Sequence, residues 1–346
     1  MILNGLSTMN SLHFPQDRPL DVICLGRAGV DLYAREENVD MGNVSGFDKY
    51  VGGSPANIAV ALARLGAKAG LISCVSDDSL GRFVCSYLEK EGVDLKGMKV
   101  DITGSRTSLA ITEMKATDCE VVIYRNNAAD LTLSIDQIDK DYIEAAKILL
   151  ISGTALSSSP SREAALSAIH YARAVGTLVV LDVDYRAYSW RSAEDSSLYY
   201  QLAAGLSDVV IGNREEFDVM ELVGKEQLTN DSVDALDRDD KTAERFLNNS
   251  TQVVIIKAGE LGSKVYTRDG HQFQQGIFVV DVQKPFGAGD SFAGALMYSL
   301  LQDYTLEESV KMGSAAAAIN VSRKSCTEAM PTLVELVDFL SLHSKV

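Results

Sequence analysis

The run Pro285-Phe286-Gly287-Ala288-Gly289-Asp290-Ser291-Phe292-Ala293-Gly294 sets three small residues at the mouth of an apolar segment that continues through Leu296, Met297 and Leu300. The pattern predicts a helix whose first turn a ligand can approach closely. The first N–H groups of a helix lack internal partners and carry partial positive charge, so Gly287, Ala288 and Gly289 can hold an anion. An acid within a turn of that site is repelled by the anion. Asp290 makes sense there if it takes a proton from a hydroxyl that attacks a bound phosphate. Taken alone, Gly-Ala-Gly-Asp is equally a loop that ends in a helix cap.

Chemistry of this kind needs a rigid frame, and the chain alternates strand and helix patterns. Asp21–Gly26 reads as a buried strand, followed after an interval by a helix from Asn57 to Leu65 that stops at Gly66. Ala69 to Val75 is strand-like and Leu80 to Glu91 helical. Ile148–Ser152, Leu178–Val183, Val209–Ile211 and Val253–Ile256 are further short apolar strands, with helices such as Arg162–Ala174 and Ser196–Leu206 between them. The rhythm predicts an α/β fold with a mainly parallel sheet covered by helices on both faces. Ligands in such sheets bind beyond the carboxyl ends of the strands. Segments 31–51 and 104–128 break the rhythm, with short alternating runs such as Ser108–Glu113 and Val121–Tyr124. They can pair into a small separate sheet serving as a lid, or extend the edge of the main one.

Composition narrows the function. Hydrophobic residues make up 46% and charged ones 23%, the profile of a globular protein. A net charge of −16, with no basic stripe to offset it, argues against nucleic acid and anionic membrane as partners. No apolar run reaches the length of a membrane span. The opening residues 1–19 lack the basic-then-apolar order of a secretory signal and read as a disordered or loosely docked arm. Five scattered cysteines, none in a Cys-x-x-Cys pair, point to free thiols in a reducing cytoplasm. Four scattered histidines offer no metal-ligand spacing, and His170 falls in a helical pattern. The acidic stretch Asn230–Glu244 reads as a solvated loop leading into a helix.

Three segments carry a family resemblance. Gly52-Gly53-Ser54-Pro55-Ala56-Asn57 through Gly66, Asn213-Arg214-Glu215-Glu216 and Gly287-Ala288-Gly289-Asp290-Ser291-Phe292 resemble, in the expected order, signatures of the PfkB (ribokinase-like) carbohydrate kinases. The resemblance spans roughly Asp21 to Leu340. It implies a three-layer α/β/α sandwich over residues 20–346, with 31–51 and 104–128 as lid, and transfer of a phosphoryl group from ATP with Mg²⁺. It makes Asp290 the base, with the Gly287, Ala288 and Gly289 backbone as anion hole. Asn213 and Glu216 would organise Mg²⁺ through water, and Lys257, Gly259 and Gly262 would lie along the nucleotide. Gly52, Gly53, Asn57 and Asp31 would contact substrate. One stretch departs from the family: where an Asp-Thr-Thr-like triplet helps some members bind a monovalent cation, this chain has Lys284-Pro285-Phe286. Lys284 then either supplies positive charge itself or lies outside the site. The lid strands also offer edges through which a homodimer could form.

Two arginines speak to the substrate. Arg186 follows the strand ending in Asp182-Val183-Asp184, and Arg125 ends a lid strand. Arginine's planar fork suits a carboxylate, so their convergence points to a sugar acid. The rival reading makes Arg186 an ion-pair partner of Asp182 or Asp184. Segments Leu25–Tyr33, Tyr124–Asp130 and Asp182–Arg186 resemble the branch of the family that phosphorylates the C6 hydroxyl of 5-dehydro-2-deoxygluconate in myo-inositol catabolism, with Arg27 as a further substrate contact. Kinases of 2-dehydro-3-deoxygluconate and then fructose are the alternatives within the family. A non-catalytic sugar-acid binder is the alternative outside it, disfavoured because binding alone needs no base at Asp290.

Overall fold

Apolar runs buried on both sides form the main sheet. The computed structural model describes residues 12–115, 119–222, 234–284 and 286–343. Its strands are β1 (Leu20–Leu25), β2 (Gly29–Glu37), β3 (Phe47–Gly52), β4 (Ala69–Ser76), β5 (Met98–Asp101), β6 (Leu109–Met114) and β7 (Val121–Tyr124), followed by β8 (Ala146–Ser152), β9 (Leu178–Asp182), β10 (Val209–Asn213), β11 (Val253–Lys257), β12 (Ser263–Thr267) and β13 (Gln272–Gln275). Nine of them form one sheet in the order β13-β12-β11-β10-β9-β8-β1-β4-β5. It is parallel from β11 to β5, and β12 and β13 return antiparallel at one edge.

Side chains alternate across a strand, so each inner strand feeds two cores. On β1, Val22 and Cys24 join a core with Ile58, Leu62, Leu296 and Val310 from the helices Ser54–Leu65, Ala288–Leu301 and Leu306–Val321. Ile23 and Leu25 enter the opposite core with Ala165, Ile169 and Tyr200 from the helices Ser161–Ala174 and Ala193–Ala204. The result is the expected three-layer sandwich.

The lid is a separate sheet, ordered β3-β2-β6-β7, which removes the edge-extension alternative. Asp31 on β2 lies opposite Tyr50 of β3 and Ala110 of β6, so three strands hold its position. β3 runs directly into the helix Ser54–Leu65 through Gly53.

Two details depart from the sequence reading. The β12–β13 hairpin and β5 were not anticipated, because Gln272–Gln275 is polar and Met98–Asp101 is short. The acidic stretch 230–244 is not simply solvated. Its described part belongs to the helix Asp234–Leu247, and Asp239 is buried against Arg214 at 2.9 Å and Lys264 at 2.6 Å. The arm is docked over residues 12–19: Leu12 is buried, and Arg18 donates to the Val175 carbonyl at 2.6 Å and the Thr177 hydroxyl at 3.2 Å. Residues 1–11, and Pro285 of the Lys284-Pro285-Phe286 stretch, lie outside the described residues. His170 is exposed on its helix and all five cysteines are free thiols. Among the described residues no helix is long and apolar enough to cross a membrane, and no group of three or more His, Cys, Asp or Glu is arranged to hold a metal ion directly.

Candidate active site

β9, β10 and β11 end side by side, with Ser152 of β8 beside Asp182 and Asn213 beside Lys257. The lid strand β2, the start of the helix Ser54–Leu65 and the start of the helix Ala288–Leu301 close around these ends. Together they enclose a cavity of about 510 Å³ lined by Arg27, Asp31, Gly53, Asn57, Asp182, Asp184, Arg186, Asn213, Glu216, Lys257 and Gly287 through Asp290. Residues far apart in the chain, Arg27 and Asp290 among them, thus line one cavity.

At the helix start the first intrahelical bond runs from the Ser291 N–H to the Gly287 carbonyl. The N–H groups of Ala288, Gly289 and Asp290 therefore precede the ladder and are available to an anion. Gly287 stands at φ +82°, a left-handed conformation that costs glycine little. An added Cβ on Gly289 would lie 3.1 Å from the Lys257 ammonium, so that cation overhangs the same turn.

Asp290 is half-buried in the cavity wall, where the Asn57 amide donates to its Oδ2 at 2.7 Å. Desolvation pushes its carboxyl up to about 6, with Asp184 adding repulsion and Asn57 and Ser54 opposing it. A carboxylate tuned towards neutrality and fixed by one hydrogen bond suits a general base.

The same cavity holds an acidic group. Burial raises the Asp182 carboxyl, Lys257 at 3.7 Å holds it back, and Asp184, Glu216 and Asp290 push it further up. For Lys257 burial acts downward, but Asp182 and the other carboxylates outweigh it and keep the ammonium charged. Asp184 adopts φ +40°, unusual for a non-glycine residue and of the kind that clusters at functional sites. Asn213 and Glu216 form a capping box at the start of the helix Arg214–Met220: the Asn213 N–H donates to Glu216 at 2.7 Å, and the Glu216 N–H to Asn213 Oδ1 at 2.8 Å. The Tyr185 N–H donates to the other Glu216 oxygen at 3.1 Å. Glu216 is thus both a structural cap and a charge facing the cavity.

The arginines divide. Arg27 lines the cavity, paired with Asp31 at 3.5 Å and donating to the Ser108 hydroxyl at 2.9 Å. Arg186 also lines it, with its side chain 48% exposed and bonded to Asp184 at 2.7 Å, so the ion pair foreseen as its rival role exists at the cavity mouth. Arg125 is not brought into this cavity. Its guanidinium binds Asp130 at 2.6 Å and the Thr154 carbonyl at 3.1 Å, and it faces an adjoining cavity of about 600 Å³. The buried carboxylate five residues on captured the fork that the sequence assigned to substrate.

The glycines divide too. Gly53 lines the cavity, whereas Gly52 makes room: a Cβ on it would lie 2.0 Å from the Asp31 carboxylate. Gly259 and Gly262 border a second, more apolar cleft of about 800 Å³, with Ile277, Val279, Val282 and Phe292, which meets the first cavity at Lys257, Ala288 and Gly289. Its floor suits a flat heterocycle whose attached anion reaches the helix turn. Tyr33, Asp182, Asp184, Tyr188 and Cys326 were missed as site residues. The two aspartates had a usable signal, their place at the end of β9. Cys326 had none, because only folding brings it within 3.0 Å of the Tyr33 hydroxyl.

A sandwich of this topology, with an acid at a helix start whose leading N–H groups lack helix partners and a lid over the strand ends, is the build of a sugar phosphotransferase. The model of the pfkB family of carbohydrate kinases matches residues 20–333, and the chain belongs to that family. It is 61% identical over 337 residues, covering 97% of this chain and 99% of the relative, to the 5-dehydro-2-deoxygluconokinase of Photobacterium profundum. It is 48% identical, covering 97% and 98%, to the 5-dehydro-2-deoxygluconokinase of Geobacillus kaustophilus. The crystal structure of fructokinase with bound ATP from Xylella fastidiosa superposes with a TM-score of 0.81 at 24% identity, covering 94% of this chain and 99% of that one, which shows the shared fold.

Proposed function

We propose that this protein transfers the γ-phosphoryl group of ATP to the C6 hydroxyl of 5-dehydro-2-deoxygluconate. The observation that carries the reading is Asp290, a carboxylate raised towards neutrality at the start of an anion-binding helix, in a chain whose relatives of that name match over nearly its whole length. Asp290 accepts the hydroxyl proton as the sugar oxygen bonds to the γ-phosphorus. The bond from that phosphorus to the bridging oxygen breaks and ADP leaves. The backbone N–H groups of the Gly287–Asp290 turn and the Lys257 ammonium hold the transferring group, supplying position and charge more than covalent chemistry. The purine lies in the apolar cleft beside Gly259 and Gly262.

Magnesium fits the acidic wall. Asp182 Oδ1 is buried without a hydrogen-bond partner, and Asn213 and Glu216 present oxygens suited to a hard cation and its waters. When bound there with ATP, the ion neutralises phosphate charge. Arg27 and Arg186 receive the sugar-acid carboxylate, and Asp31 accepts from a substrate hydroxyl.

A coupled ADP-release assay tests this with 5-dehydro-2-deoxygluconate, 2-dehydro-3-deoxygluconate, fructose and ribose under Mg²⁺-ATP. The first should have the highest kcat/KM. Preference for the second would discard the substrate assignment, and silence across the panel would return the binder alternative.

Two further results are expected. Since kcat/KM reports groups of the free enzyme and the base must be unprotonated, it should fall about tenfold per pH unit below the Asp290 value of about 6. A flat profile from pH 5 to 8 would remove Asp290 as the titrating base. Arg186→Ala should raise KM for the sugar acid by about tenfold or more, the worth of a charge-assisted hydrogen bond, with little change for fructose. Equal losses on both substrates would sink the carboxylate assignment.

A further inference from the structure

Lys284 is a buried positive charge that the reaction above leaves without a role. It is 1% exposed, and its ammonium donates to the Phe286 carbonyl at 2.5 Å and to Asn320 Oδ1 at 2.7 Å. Both ligands are neutral oxygens, an expensive setting for a charge. Burial accordingly lowers its pKa, while Cys326 and Asp290 favour the charged form.

The position of the charge gives the expense a purpose. The Phe286 carbonyl belongs to the peptide that leads into Gly287. In a trans peptide the carbonyl and the following N–H point in opposite directions, so pinning this carbonyl on Lys284 turns the Gly287 N–H away from it. A carbonyl bonded to a cation is also polarised, which makes the N–H of the same peptide a stronger donor. The Asn320 oxygen that accepts from Lys284 lies 2.6 Å from where a Cβ on Gly287 would stand, so it packs on the same left-handed residue. Asn320 is itself fixed by its amide donating to the Cys326 carbonyl at 3.0 Å. The lysine, the asparagine and the glycine make one bracket behind the anion turn.

We propose that the Lys284 ammonium is a built-in monovalent cation that shapes and polarises the Gly287–Asp290 turn, so that phosphoryl transfer needs no added monovalent cation. The inference rests on the kinase reading above. Lys284 is a positioning residue: it acts on the phosphoryl group through the turn and does not touch it. An ammonium held by carbonyl and amide oxygens has the size and ligands of a bound potassium ion, so truncating the side chain should leave a site for one.

The test compares cations on wild type and on Lys284→Ala. Wild-type turnover should agree within about twofold between K⁺ and tetramethylammonium, which is too large for such a site. Lys284→Ala, which weakens the anion hole indirectly, should lose about 10- to 100-fold in kcat, at or below the roughly 100-fold low end of direct anion-hole deletions, with the KM for ATP little changed. K⁺ or NH₄⁺, but not tetramethylammonium, should restore it saturably. The variant should also melt higher in KCl than in tetramethylammonium chloride by a margin that wild type lacks. That readout needs no turnover, so a protein without kinase activity would sink the proposed function while the melting series still judged Lys284. Tenfold K⁺ stimulation of wild type would overturn the proposal, as would an unimpaired Lys284→Ala or a loss that no small cation repairs. If Lys284→Ala fails to fold, Lys284→Met and the wild-type cation series decide between these outcomes.

Discussion

Asp290→Asn will lower kcat by at least about 100-fold, the lower bound for losing a general base, and leave ATP affinity nearly unchanged. The substitution is close to isosteric. The asparagine carbonyl can still accept from Asn57, which now donates to Asp290 Oδ2 at 2.7 Å. What disappears is the capacity to take the hydroxyl proton. Stability separates this from misfolding. Burial raises the folded-state pKa of Asp290 to about 6, so the proton is held more tightly folded than unfolded. The associated stability is present at low pH and is lost as pH rises through that value. At pH 8 the neutral asparagine should therefore melt no lower than wild type. Steady-state kinetics, calorimetric titration with ATP and a melting curve decide the matter. Turnover within a few-fold of wild type would take Asp290 out of the mechanism.

Gly53→Ala is expected to damage folding and substrate use together. Gly53 sits at φ +103° and ψ 125°, in a region that side chains with a Cβ avoid. Such conformations cost about 1–3 kcal/mol in strain alone. The added Cβ would also stand 2.3 Å from the Arg27 carbonyl oxygen, a backbone atom that cannot swing aside. Overpacking of this kind adds about 1–3 kcal/mol more. Relief requires moving Arg27, on the cavity wall, or the start of the helix that carries Asn57. Displacements of about 1 Å near reacting groups can cost about 100-fold, so kcat/KM should fall by that order along with the melting temperature. An alanine variant with wild-type melting and kcat/KM would show that the junction yields without consequence.

Gly53 and Lys284 mark the two ends of what could be read before folding. The α/β rhythm was legible because inner strands of a parallel sheet are apolar on both faces, so Ile148–Ser152 or Val253–Ile256 stand out as unbroken runs. The polar edge strand Gln272–Gln275 lacks that signature, since half of its surroundings is water. The helix start at Gly287 with Asp290 in its first turn was equally plain, because a glycine-led helix start is a local arrangement of contiguous residues. Gly53 could be placed before a helix for the same local reason.

Everything that depended on partners distant in sequence was decided by the tertiary structure. Arg125 and Arg186 look alike in the chain, yet Asp130 and the Thr154 carbonyl hold one out of the cavity while the other stays at its mouth. Gly52, expected to contact substrate, leaves space for Asp31, a neighbour supplied by strand pairing. Lys284 could be noticed as odd, but whether it faced water or the anion turn was settled by Asn320, 36 residues further on. Contiguous backbone geometry is written locally, so the chain alone determined the kinase signature and the frame. The environment of each charge is a sum over neighbours that only the packed fold assembles, and that sum selects which charges can meet the substrate.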